Sequence, residues 1–125
     1  MPGVRARERG SISIVVAAAV GMALVVTMGA ADVGRALIAR SRAQAVADLA
    51  ALAAAQELAL PSGVDPSTAA AEYADRNGAR FVSCSCDPGT LEAVVEVAVP
   101  ARGFLLPLGD RDVIGVARAV VDLPA

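Results

Sequence analysis

Cys84 and Cys86 are the only thiols in the chain, two residues apart in the segment RFVSCSC. On a strand, that spacing turns both side chains to one face and sets the residues about 6.6 Å apart. A disulfide needs Cβ atoms about 3.8 Å apart, so the spacing predicts that the two do not bond to each other. As a pair they also make a poor zinc site, because structural zinc takes four ligands. The chain has no histidine, which removes the commonest general base and the commonest metal ligand together. Asp87, Asp110, Asp112 and Asp122 lack the alternating acids and distal glutamate of a calcium loop. They read as solvated turn and strand-end residues. No phosphate loop, nucleophile elbow or dinucleotide fingerprint is present. The residues that could do chemistry therefore predict no catalytic site, no cofactor, no metal and no small-molecule substrate. The expectation is a protein that is not an enzyme.

What the chain has in quantity is apolar surface. Hydrophobic residues make up 56% of the 125 and aromatics only 2%, with a mean hydropathy of +0.59. Such a chain buries alanine, valine and leucine in lipid or along helix seams. A net charge of −2 and a pI near 5.0 leave no footprint for nucleic acid.

The apolar residues are concentrated near the N-terminus. Arg5, Arg7 and Arg9 with Glu8 precede a run from Ser11 to Ala31 that carries no charge. About 20 apolar helical residues cross a hydrocarbon core of about 30 Å, so 11–31 is predicted to be a transmembrane helix. The alternative is a cleaved signal peptide with Gly29 and Ala31 before the cut, although signal cores run about 7–15 residues. Within the run, Ala17 and Gly21 have the small-xxx-small spacing that lets helices approach closely, as do Ala30 and Gly34 at its end. No proline interrupts Ser11 to Leu60, so one continuous helix of about 50 residues is expected.

Beyond the span, Val46, Leu49, Ala50, Ala53 and Leu60 fall on one side of a helical wheel. This stripe serves either a partner subunit or the chain's own C-terminal domain. Gln44 and Asp48 lie opposite it at i,i+4, within reach of a side-chain hydrogen bond. The helix should end at Pro61, Ser62 and Gly63. A second helix is punctuated by Asp65 as N-cap, Pro66 as first residue and Asn77-Gly78 as the stop. Three strands follow: 80–86; then 91–99, where Leu91, Ala93, Val95, Val97 and Val99 alternate with Glu92 and Glu96; then 113–121. Asp87-Pro88-Gly89-Thr90 is placed as a type II turn. A small sheet needs a cover for its apolar face, and the stalk stripe is available. The predicted class is α+β, a long N-terminal helix packed on a small antiparallel sheet, as in pilins and pseudopilins. It divides into a basic leader (1–10), a transmembrane helix (11–31), a helical stalk (32–60) and a small αβ domain (61–125).

Three stretches resemble the TadE-like (TadE/TadG-like) family of tight-adherence pilus assembly: ERGS (Glu8 to Ser11), RAQAVADLAALAAA (Arg42 to Ala55) and GARFVSC (Gly78 to Cys84). The likeness is greatest to the short members of high-GC Gram-positive bacteria, of the helicase and secretion neighbourhood type. The middle stretch carries it most strongly, through Arg42, Gln44 and Asp48. The resemblance implies a membrane-anchored, pilin-like component of a pilus or related secretion system. Its partners would be the lipid bilayer and other pilin-like subunits or platform proteins. It would be a single-pass protein of the bacterial cell membrane, N-terminus in the cytoplasm and C-terminal domain outside. A prepilin peptidase would cut after Gly10, leaving Ser11 first. The glutamate that pilin-type chains usually carry at the fifth position is Val15 here. The alternative function is a secreted αβ protein, released near Ala31, that acts on an external partner.

Overall fold

The computed structural model describes residues 2–107 and 109–124, with side chains from Gly10 onward. The side chains of Arg5, Arg7, Glu8 and Arg9 lie outside the described residues. Helix α1, Pro2–Ala59, is followed by α2, Pro66–Arg76, and by strands β1, Arg80–Asp87, β2, Glu92–Ala101, and β3, Arg111–Val120. The sheet is antiparallel in the order β1-β2-β3. The α+β class read from the sequence is the one observed.

Local chemistry explains most boundaries. Alanine, the best helix former, is the commonest residue of α1, and Pro61 cannot continue it. Glu57 closes its end by accepting hydrogen bonds from the Ser62 N–H at 3.0 Å and the Ser62 hydroxyl at 2.7 Å. These bonds hold the Glu57 carboxyl below its ordinary pKa, against a smaller opposing effect of desolvation. Asp65 caps α2 by accepting from the Thr68 N–H at 3.2 Å. Gly78, at φ +71, takes the left-handed turn that ends it.

The central strand carries the core. Ala93, Val95, Val97 and Val99 are each at most 2% exposed, all on the face toward α1 and α2. Burying each such valine contributes about 1.5–3 kcal/mol. The helices meet that face with alanine: Ala43, Ala47, Ala50, Ala51, Ala54 and Ala55 from α1, Ala70 and Ala74 from α2. Helix α1 approaches β3 closely enough that a Cβ on Gly115 would stand 2.3 Å from the carbonyl oxygen of Ala43.

That proximity corrects the expected stripe. Val46 and Ala50 are buried, but Leu49 is 44% and Leu60 78% exposed, and Ala53 is half-buried. Where helix and strand backbones nearly touch, leucine has no room and alanine forms the seam. The expected type II turn is also absent. Gly89 does not take positive φ; the Asp87 carboxylate instead accepts its N–H at 2.8 Å, and Leu91 at φ 53 turns the chain into β2. Leu91 therefore stands outside the strand it was expected to begin.

The cysteines require a third correction. Cys84 and Cys86 form a disulfide with Cα atoms 5.6 Å apart. Spacing along a strand is a Cα quantity, and disulfides accept Cα separations of about 4.4–6.8 Å. The register of β1 shifts between Phe81 and Ser83, and such an irregularity lets an edge strand bend. Opposite Val95 and Ala93 in the register, the bridge packs against the core.

Candidate functional site

The first half of α1 is a bare apolar rod. Ile12, Ile14, Val15, Val20, Met22, Leu24 and Val26 are all more than half exposed. A helix from Gly10 to Ala59 is long and apolar enough to cross a membrane, and its most apolar window is 0% buried within the protein. Gly10 and Ser11 lie inside α1, exposed, with no turn between them. Ala17 is exposed, and a Cβ added at Gly21 would meet nothing within 4 Å. Both are free of the chain's own side chains.

The C-terminal half of α1 holds the residues singled out after the uncharged run. Arg42 donates to the carbonyl of Asn77 at 3.1 Å, at the C-terminal end of α2, where a cation also meets the negative end of the helix dipole. Gln44 donates from its amide nitrogen to the Asp48 carboxylate at 3.0 Å, the i,i+4 bond its spacing suggested. The same nitrogen reaches the Val116 carbonyl on β3 at 2.9 Å. Gln44 is thus not simply an outward-facing residue. Arg42 fastens α1 to α2, Gln44 fastens it to β3, and Asp48 orients Gln44. Leu49 and Ala53 are not brought into this set.

Sequence reasoning missed the foot of the stalk. Asp32 is the first residue after the uncharged run, yet only 4% exposed. Its carboxylate accepts from the N–H groups of Leu105 at 2.7 Å and Leu106 at 2.8 Å, and from Arg35 at 3.3 Å. Desolvation pushes its pKa up, but the two backbone bonds and Arg35 together outweigh it and hold the carboxyl below its ordinary value. A signal existed in the sequence: an acid flush with an apolar span and followed at i+3 by arginine. Its partners are 73 and 74 residues away, and no local pattern names them.

The sheet's outer face is mixed. Ile114, Val116 and Val120 are about half exposed beside a 2.7 Å ion pair of Arg118 with Glu92. Arg80 and Asp112 pair at 3.1 Å across the ends of β1 and β3.

These features define a class: a long apolar helix of membrane-crossing length whose C-terminal half is clamped to a small antiparallel sheet and a short second helix. Residues 10–57 match the family model described as "Putative Flp pilus-assembly TadE/G-like". The match lies wholly on α1, spanning the apolar rod together with Arg42, Gln44 and Asp48. Together with the long apolar helix, it fits a pilin-like pilus component. No curated protein and no solved structure matches the chain.

Proposed function

We propose that this chain is a TadE-like, membrane-anchored subunit with a structural or assembly role in a tight-adherence pilus or a related secretion system. The observation that carries the reading is the coincidence of the matched segment with α1. The same residues that resemble the family supply both a span of membrane length and the polar clamps to the outer domain. In this reading residues 1–10 are the cytoplasmic leader, 11–31 cross the membrane, 32–60 form the stalk and 61–125 the outer domain. Ala17 and Gly21 let a neighbouring span approach, and Leu49 and Ala53 are open to a partner subunit. Cleavage after Gly10 would free Ser11 as a new N-terminus.

Membrane extraction with alkaline carbonate tests the anchor. The wild-type chain should stay in the pellet. Val20→Arg should not, since a central arginine costs about 2.5–3.5 kcal/mol on insertion scales. Release of the wild-type chain would refute the anchor. The mature N-terminus decides among routes: Ser11 for prepilin-like processing, Asp32 for the secreted alternative. A thiol introduced as Asp110→Cys should react with an impermeant reagent on intact cells. Reaction only after the cells are broken would reverse the orientation.

A further inference from the structure

The loop between β2 and β3 has a composition at odds with a solvated hairpin. Phe104, Leu105, Leu106 and Pro107 stand at its tip, with Leu105 50% exposed and Phe104 and Leu106 half-buried. Tips facing water carry glycine, asparagine, aspartate and serine. Here the apolar tip is drawn along the stalk to its foot, because two of its N–H groups end on the Asp32 carboxylate.

Asp32 follows Ala31, the last residue of the uncharged run. The apolar surface of α1 does not stop there: Val33, Leu37 and Ile38 are 60%, 62% and 70% exposed. An acid within such a surface is costly at a bilayer boundary unless it is paired. The loop supplies the pairing with two backbone donors, and Arg35 adds a third. The headgroup layer is about 5–7 Å deep on each side, or roughly four residues of helical rise. Loop residues bonded to Asp32 fall within it. Arg102 is exposed where the loop leaves β2, and Arg111 where it enters β3. Both can reach headgroups while their stems lie on apolar surface.

We propose that the β2–β3 loop is a second membrane contact. Phe104, Leu105 and Leu106 seat in the interfacial layer of the bilayer beside the span, and Asp32 is the clasp that holds them there. This rests on α1 being the membrane anchor. The occupant of the apolar tip is lipid: one and two turns below Asp32, on the same face of α1, Met28 and Val25 are 42% and 60% exposed, so the tip stands over apolar helix surface that no part of the described chain buries.

The test uses the full chain in phosphatidylcholine vesicles with a single polarity-sensitive thiol label. Cys84 and Cys86 are bridged, leaving no free thiol among the described residues. Labels are placed by Leu105→Cys, by Val20→Cys in mid-span, and by Ser62→Cys just past the far end of α1, which is about 40 Å from Asp32. Pro107→Cys, exposed and without an N–H to lose, is a second loop reporter should Leu105→Cys disturb the loop. Lipids brominated near the glycerol end of their chains should quench most of the fluorescence at 105 and 107. Lipids brominated at the bilayer centre should quench position 20, and neither set should quench position 62. If position 20 is quenched and both loop labels report water, the loop proposal fails and the anchor stands. If the loop labels are blue-shifted but unquenched, protein covers the loop and the proposal fails again. If position 20 is not quenched, the anchor fails and takes the proposal with it.

Discussion

Substituting Gly115 by alanine adds one methyl group to β3, and the structure leaves no place for it. The new Cβ would lie 2.3 Å from the carbonyl oxygen of Ala43, 2.5 Å from its carbon and 3.0 Å from the nitrogen of Gln44. Ordinary contact is about 3.5 Å or more, so α1 must withdraw from the sheet by about 1 Å. All three obstructing atoms are backbone, and no rotamer change can clear them. The withdrawal would open the alanine seam and stretch the 2.9 Å bond from Gln44 to Val116. Elsewhere on a strand, glycine to alanine gains roughly 0.5–1 kcal/mol in backbone entropy. Here we expect a net loss near the top of the overpacking range, about 3 kcal/mol. For a domain of this size that lowers Tm by roughly 12–24 °C, read by thermal unfolding of the full chain in detergent micelles. Ala43→Gly should not rescue Gly115→Ala, because the clash is with the carbonyl and not the methyl. A Tm for Gly115→Ala equal to or above wild type would refute the close approach, and rescue by Ala43→Gly would refute the backbone origin of the clash.

Two further perturbations probe the seam and the clasp. Ala50→Asp puts a charge where exposure is 0% and should abolish cooperative unfolding, whereas Leu49→Asp, at 44% exposure, should change stability by no more than about 0.5 kcal/mol; equal protease sensitivity of the two variants would show the seam to be misplaced. The Asp32 carboxyl titrates below its ordinary value, so the loop clasp is complete above the ordinary carboxylate range and is lost as pH falls through the lower folded value. The amide proton shifts of Leu105 and Leu106 should report that midpoint and lose it in Asp32→Asn, and a midpoint at or above the ordinary value would contradict the hydrogen bonding described.

Where a residue's role depended on its neighbours in sequence, the sequence was legible. Alternation of Ala93, Val95, Val97 and Val99 against Glu92 and Glu96 identified β2, because two charges on one face mark it as the solvated one. Asp65, Pro66 and Asn77 marked α2 because caps act within one turn. The buried face of α1 was misread because alanine occupies nearly every side of that helix. Size then singled out the leucines, while the deciding fact, the absent side chain of Gly115, lies on another element. The disulfide of Cys84 with Cys86 runs against the sequence expectation because strand spacing is a Cα distance, and even the ideal value of about 6.6 Å lies within the Cα range that disulfides accept. The Asp32 clasp was out of reach altogether: it joins residues 73 and 74 positions apart, through backbone donors whose identity leaves no trace in side-chain type.

Helix α1 runs from Pro2 to Ala59 without a proline inside it, and this has a mechanical consequence. From Asp32 to the end of α1 is a lever of about 40 Å, clamped to the domain along its length and gripped at its foot by the loop. A tilt of 10° about that foot, within the roughly 0–40° range that membrane helices adopt, would sweep the far end through about 7 Å. With α1 as the proposed membrane anchor, small reorientations inside the bilayer would be magnified into displacements of the C-terminal domain.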